Sequence, residues 1–156
     1  MDTHADFSIA PATPADVDAI APLFDAYRQF YKQATDLPKA RAFLRERLRQ
    51  GESHVFVARE LSPDRAPIAF MQLYPLFSST QMRRAWVLND LFVTPVWRRR
   101  GVARALLLKA RDFARDSNAA ELFLETAKDN EAAQGLYEEL GWEREAVFVK
   151  YNLNLP

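Results

Sequence analysis

The chain has 156 residues, and its 21 basic and 21 acidic residues give a formal net charge of zero. This length predicts a single domain over residues 1–156, because globular domains most often contain about 100–150 residues. The balanced charge argues against a nucleic-acid partner, since proteins that bind nucleic acid usually carry a basic excess. The absence of cysteine from the sequence excludes disulfides, thiol nucleophiles and cysteine-bound zinc.

Metal binding and membrane insertion are not expected from this sequence. His4 and His54 are too few and too isolated for a histidine-based metal site. No apolar run approaches the ~20 residues that span a bilayer. Residues 1–6 are acidic and lack the basic start and apolar core of a signal peptide. We therefore expect a cytoplasmic protein.

The first third of the chain predicts a short strand over residues 9–12 and then two helices. A Thr-Pro-Ala-Asp sequence beginning at Thr13 is typical of a helix N-terminus. Apolar residues at spacings of three and four then follow as far as Tyr31, which predicts one buried helix face. A second helix is predicted over residues 38–50, with a glycine directly after it.

The middle of the chain predicts three strands. Residues 54–60 and 67–75 are rich in Val, Phe and Ile and are separated by a Pro-containing turn, which favours a β-hairpin. Residues 85–93 are almost wholly apolar, as expected for a strand that is buried on both faces in the middle of a sheet.

The last third predicts a helix over about 101–117, a strand over 121–126, a short helix that begins after Asn130, and a strand over 146–155 whose residues alternate well. A strand, a helix and a strand in this order predict a right-handed crossover. The complete order predicts an α/β (α+β) fold in which helices cover a mixed sheet.

The loop after residues 85–93 carries three arginines, Arg98, Arg99 and Arg100, and the helix that follows begins with two small residues, Gly101 and Ala103. The N-terminus of a helix has backbone N–H groups without intrahelical acceptors and a positive dipole end, so it suits a pyrophosphate. The sequence is neither a Walker loop nor GxGxxG. A solvated loop before an ordinary helix boundary is the competing interpretation.

Arg98-x-x-Gly101-x-Ala103 after a strand, followed by Asn130 and by Tyr137 seven residues later, resembles the GCN5-related N-acetyltransferase (GNAT) superfamily. The resemblance covers nearly the whole chain. It implies a mixed, mostly antiparallel sheet flanked by four helices, with a splay between the strands at 85–93 and 121–126. It also implies an N-acetyltransferase that binds acetyl-CoA in that splay.

The resemblance further implies which residues bind acetyl-CoA. Backbone groups of the strand would pair with the pantetheine arm, the Val93 N–H would stabilise the oxyanion, and backbone amides from Arg99 through Arg104 would hold the pyrophosphate. The implied cofactor-binding residues are Leu91, Phe92, Val93, Arg98, Arg99, Arg100, Gly101, Val102, Ala103, Arg104 and Asn130.

Three residues are candidates for proton transfer. Tyr137 matches the general acid of the family, although a tyrosine at this helical spacing is also typical of core packing. Glu125 matches the position that some members use as a base. Asp90 lies in the apolar strand beside the expected thioester, where a carboxylate needs a partner or a function; its other interpretation is an ion pair with Arg83 or Arg84. Glu125, Asp90 or neither is the base.

The acceptor is less constrained. Tyr27 and Tyr31 belong to the helices that help to form the substrate pocket in this family, and aromatic and acidic residues together suit a cationic amine. Residues 70–79 and 86–90 are similar to a branch that contains fungal histone and polyamine acetyltransferases. That branch implies a small amine, an amino acid or a lysine side chain as acceptor, and a homodimer assembled through residues 146–155.

Two functions follow from the resemblance. The first is direct acetyl transfer in a ternary complex, because a chain without cysteine cannot form an acetyl-cysteine intermediate. The alternative is a CoA-binding regulatory module with the same fold and no catalysis. The tyrosine and the two carboxylates favour the enzyme.

Overall fold

The structure is a computed structural model that describes residues 1–4 and 6–156. It comprises two compact units, Met1–Leu124 and Glu125–Pro156. The expectation of a single domain over the whole chain remains a prediction.

The first unit contains a six-stranded sheet with the order β1-β2-β3-β4-β5-β6. Neighbouring strands are antiparallel, except that β5 and β6 are parallel, so the sheet is mixed as predicted. The strands are β1 Asp2–Thr3, β2 Phe7–Pro11, β3 His54–Glu60, β4 Pro67–Ser78, β5 Arg83–Val93 and β6 Glu121–Phe123.

The predicted helices are all present. They are α1 Val17–Phe30, α2 Leu37–Arg49 and α3 Val102–Asp116 in the first unit, and α4 Glu131–Glu139 in the second. A 3-10 turn precedes α1, and the Thr13 N–H donates to the Asp16 carboxylate at 2.8 Å, which confirms the predicted helix start. Across residues 1–4 and 6–156, no helix combines the length and the apolar character that a membrane span requires.

The turn between α1 and α2 is built around a buried carboxylate. Asp25, on α1, accepts hydrogen bonds from the Thr35 hydroxyl at 2.5 Å and from the Asp36 N–H at 2.9 Å. These hydrogen bonds hold the pKa of Asp25 below its usual range. Asp36 in turn caps α2, because its side chain accepts from the Lys39 N–H. The two helices are thereby fixed against the same face of the sheet.

The sheet separates two apolar layers. On one face, side chains of α1 and α2 such as Ile20 and Leu44 pack against Phe70 of β4 and Phe92 of β5. On the other face, Phe113 of α3 contacts the aromatic rings of β3 and β5. The central strands β4 and β5 therefore have both faces covered, as the apolar run at 85–93 predicted.

The predicted strand over 146–155 is wrong. The described residues 142–156 form no strand, and the apolar side chains of Val147, Val149 and Tyr151 are 81%, 78% and 91% exposed. The Glu145 carboxylate accepts the N–H groups of Val147 and Phe148 at 2.5 and 3.0 Å. Alternating apolar and polar residues indicate which face of a strand each side chain would occupy. A strand also needs a neighbouring strand with which to form hydrogen bonds, and the alternation does not show whether one is present.

Candidate active site

The free edge of β5 is defined by its register with β4. The Thr94 N–H donates to the Ile68 carbonyl at 2.9 Å, and Ala69 lies opposite Val93. Hydrogen-bonded and non-hydrogen-bonded positions alternate in an antiparallel pair. The N–H and C=O groups of Val93 and of Leu91 therefore point away from β4, toward the opposite edge of β5.

Strand β6 covers only the first part of that edge. It pairs in parallel with residues 85–87 of β5, and within the described chain no strand pairs with residues 88–93 on that side. The two strands thus separate where the resemblance implied a splay. A ligand that contains amide groups can therefore form hydrogen bonds with the N–H and C=O groups of Leu91 and Val93, as an added strand would.

The backbone of Phe92 has the opposite orientation. The same alternation directs its N–H and C=O groups toward β4. Its side chain is buried in the layer formed with α1 and α2. Three strand residues were predicted to contact the cofactor. Of these, Leu91 and Val93 have backbone groups that face the open edge, whereas Phe92 packs its side chain in the apolar layer.

The loop after β5 is tied back to the strand by Arg98. The Nε of Arg98 donates to the Val93 carbonyl at 3.0 Å, and its guanidinium lies 5.6 Å from the centre of the Phe92 ring. Arg100 lies in the same way over Trp97, at 5.0 Å. These contacts order two of the three arginine side chains, Arg98 against the end of β5 and Arg100 against its own loop.

Helix α3 begins with a conformation that its sequence favours. Arg99 and Gly101 have φ angles of +62° and +79°, which reverse the chain into the helix. The first intrahelical hydrogen bond runs from the Ala105 N–H to the Gly101 carbonyl at 3.0 Å. The amides of Val102 and Ala103 thus have no intrahelical acceptor, and they lie at the positive end of the helix dipole. This arrangement suits an anionic group.

Asp90 lies buried at a bulge in β5. Gln72 is opposite Asp90 and Leu73 is opposite Leu88, so Asn89 is the extra residue. The Asp90 side chain is 2% exposed. It accepts hydrogen bonds from the Gln72 amide and, at 2.8 Å, from the Asn89 amide.

Burial raises the pKa of Asp90, and the hydrogen bonds from Gln72 and Asn89, together with the nearby Tyr27 hydroxyl, oppose that rise. The ion pair considered for Asp90 is not formed. Arg83 donates to Gln81, and Arg84 stacks over the rings of Phe77 and Trp86. Asp90 is consequently a buried acid whose hydrogen-bond partners are neutral.

Tyrosines from two elements surround this carboxyl group. The Tyr27 hydroxyl, on α1, donates to the Asn89 carbonyl at 3.0 Å, and its ring lies 5.0 Å from the ring of Tyr31. Burial and the nearby Asp90 raise the pKa values of both Tyr27 and Tyr74. Both hydroxyls therefore stay protonated at neutral pH. The structure brings the predicted substrate residue Tyr27 close to Asp90, and the other one, Tyr31, lies beside Tyr27.

The second unit contains the other predicted catalytic residues. The Glu125 carboxylate is held by the Lys150 ammonium at 2.7 and 2.6 Å, in an exposed pair. Asn130 stands at the start of α4, but its amide donates to the Thr126 hydroxyl at 3.4 Å and does not cap the helix. Tyr137 is half-buried on α4.

Two residues near Asp90 were missed from the sequence. Gln72 and Tyr74 lie in the apolar strand β4, and nothing in their spacing marks them as part of a site. The one available signal was a polar amide inside an apolar run.

In the described residues, no group of three or more His, Asp or Glu side chains is arranged to hold a metal ion.

Comparison with known proteins identifies the family. Residues 19–142 match the family described as the Acetyltransferase (GNAT) family. The chain therefore belongs to the GNAT family, whose members transfer acetyl groups from acetyl-CoA. The predicted family, fold class and enzyme class are confirmed, and the chain is an N-acetyltransferase.

The similarity extends over the full length of some relatives. The chain is 46% identical over 149 residues to the uncharacterized N-acetyltransferase YhfO of Bacillus subtilis, covering 96% of this chain and 98% of that protein. A probable acetyltransferase of Haemophilus influenzae is 36% identical over 113 residues, or 72% and 76% of the two chains. The crystal structure of a probable acetyltransferase is 40% identical, with a TM-score of 0.90 and coverage of 96% and 98%.

Proposed function

We propose that this chain transfers the acetyl group of acetyl-CoA to a primary amine by direct attack in a ternary complex. The observation that carries the proposal is the open edge of β5. That edge presents the outward-facing groups of Leu91 and Val93, and the chain then leads into the amide-rich start of α3. Such a row of donors fits a ligand with an amide-containing arm and a pyrophosphate.

Each part of this edge has a chemical role. The groups of Leu91 and Val93 bind the amides of the pantetheine arm, as an added strand would. The amides from Arg99 through Arg104 bind the pyrophosphate, together with the dipole of α3. Acetyl-CoA supplies an activated thioester carbonyl. The Val93 N–H donates to its oxygen and stabilises the negative charge that develops there.

The acceptor amine enters beside Tyr27 and Tyr31. An alkylammonium has a pKa of ~10.4 in water, so it must lose a proton before its nitrogen attacks. We favour Asp90 as the acceptor of that proton, because it is buried next to Tyr27 and has no cationic partner among the described residues. The carboxylate of Glu125, by contrast, is already bound by Lys150.

The transfer forms a C–N bond and breaks the C–S bond of the thioester. The ammonium gives one proton to Asp90 before the attack, directly or through a water. The nitrogen gives a second proton to water as the tetrahedral intermediate collapses, and this balances the proton that the thiolate takes up. Tyr137 donates a proton to the departing CoA thiolate, which is the role that its match to the family's general acid implies. No covalent enzyme intermediate is required.

The test is a panel of primary amines assayed for release of free CoA, with Asp90→Asn and Glu125→Gln compared. We expect acetyl transfer to a small cationic amine, lost in Asp90→Asn and retained in Glu125→Gln. Acetyl-CoA at 100 times its Kd should also stabilise the fold by about 2.7 kcal/mol. Stabilisation without transfer to any amine would instead indicate a CoA-binding regulatory module.

We propose in addition that the protein is a cytoplasmic homodimer and that residues 146–155 take part in the contact between copies. This segment alternates in sequence and exposes its apolar side chains, including Val149 and Tyr151. Extended apolar segments of this kind are buried when they pair with another chain. Light scattering should show a dimer that Val149→Lys with Tyr151→Lys dissociates. The matched pair Asn152→Lys with Asn154→Lys, on the alternate face, should remain dimeric.

A further inference from the structure

Gln72 is a buried polar residue with only half of its amide in use. Its side chain is 0% exposed in the middle of β4. The Nε2 donates to the Asp90 carboxylate, whereas the buried Oε1 has no hydrogen-bond partner among the described residues. A buried acceptor without a partner destabilises a fold, and an apolar side chain of similar shape would avoid that cost. The sequence thus keeps an amide where packing alone favours a hydrocarbon.

We infer that Gln72 is a positioning residue that keeps Asp90 ionised and oriented to accept the proton of the acceptor amine. This inference rests on the proposed function, in which Asp90 is the base. An N–H group that donates to a carboxylate favours its charged form. Such charge-assisted hydrogen bonds are also stronger than neutral ones. Without this donor, burial would raise the pKa of Asp90 further, and a carboxyl group acts as a base only when it is ionised.

The other groups around Asp90 do not replace Gln72. On β5, the Asn89 amide donates from the exposed bulge. Tyr27 of α1 and Tyr74 of β4 have hydroxyls that remain protonated. The charge of Arg47, on α2, lowers the pKa of Tyr74. Among the described residues, no lysine or arginine shifts the pKa of Asp90. Gln72 is thus the fully buried donor, fixed in place by the sheet.

The test is the pH dependence of kcat/KM for Gln72→Met, which keeps the length of the side chain and removes the amide. We expect the acid limb of the profile to move up by about one pH unit, a tenfold loss on the limb. The Tm should fall, because the buried Asp90 carboxylate loses its charge-assisted donor, and removal of the unpartnered oxygen offsets part of that loss. A ¹³C NMR titration of the Asp90 carboxyl should show the same displacement without any substrate.

Leu73→Met is the matched control, since Leu73 is equally buried in β4 and faces the other side of the sheet. Its acid limb should coincide with that of the wild type. An unmoved limb and an unmoved NMR titration in Gln72→Met would overturn the inference and leave the proposed function standing. Full activity of Asp90→Asn would overturn both.

Gln72→Asn provides a second variant if Gln72→Met does not fold. It keeps an amide but is one methylene too short to reach the carboxylate in the same way. The same upward displacement of the limb is expected. Loss of the fold in both variants would show that the amide is needed for structure, and it would overturn the inference.

Discussion

Arg98 is bonded to Val93, the last residue of β5: its Nε donates to the Val93 carbonyl at 3.0 Å. Val93 also has the N–H group that we assign as the donor to the thioester oxygen. The loop before α3 and the open edge of β5 are thus one connected arrangement. Arg98 orders this arrangement through its side chain.

Arg98→Ala should weaken acetyl-CoA binding by about tenfold or more, because a hydrogen bond to a charged donor contributes about 1.5–3 kcal/mol. Titration calorimetry measures the Kd directly. Arg111→Ala is the control, since Arg111 is exposed on α3 and pairs with Asp112. Equal Kd values for the two variants would contradict the role of Arg98.

Gly101→Ala should destabilise the protein by about 1–2 kcal/mol, because the position has a φ of +79° that an L-residue adopts only with strain. A Cβ there meets nothing within 4 Å, so the cost arises from the backbone alone. Gly135→Ala, in the ordinary helical conformation of α4, should instead stabilise by about 1 kcal/mol. Thermal unfolding of both variants checks the opposite signs, and a shift of the same sign in both would be inconsistent with this explanation.

Asp90→Asn should raise the Tm more at pH 8 than at pH 4. Because burial raises the pKa of Asp90, the folded protein binds this proton more tightly than the unfolded chain does. That contribution to stability is complete below the ordinary pKa and is lost as the pH rises through the raised value. Asparagine does not ionise, so the Asp90→Asn variant does not lose this stability as the pH rises.

Calorimetry at the two pH values measures the difference, and the gain in Tm should be larger at pH 8 than at pH 4. The exposed Asp112→Asn should show no such dependence. A gain that is the same at both pH values would mean that Asp90 titrates normally.

Tyr137→Phe should lower kcat by about 100-fold, because general acid catalysis typically contributes 10²–10⁴. The Kd for acetyl-CoA should change little, since the ring is kept. Tyr151→Phe is the control, on a tyrosine that is 91% exposed. An unchanged kcat in Tyr137→Phe would remove this residue from the mechanism.

Local patterns predicted most of the fold. The capping residues at Thr13 and Asp16, the apolar run at 85–93 and the start of a helix near residue 101 each depend on nearby residues, so the sequence predicted them. The strand predicted over 146–155 failed because pairing depends on a distant partner. A periodic sequence contains no information about which edge is available.

The residues of the candidate site also differ in whether nearby sequence or distant packing determines their role. Asp90 stood out because a charge in an apolar strand requires an explanation. Its neighbours Gln72 and Tyr74 did not, since they reach it only through the register of β4 with β5. The bulge at Asn89, which sets that register, leaves no mark in the sequence. The catalytic surroundings are therefore a property of the assembled sheet.

The most direct test of the account is an NMR titration of the ¹⁵N-labelled protein with acetyl-CoA. We predict large shifts in the amide signals of Leu91, Val93, Gly101, Val102 and Ala103, with small shifts in β2 on the far side of the sheet. Saturation with acetyl-CoA that leaves these five amides unperturbed would contradict the account.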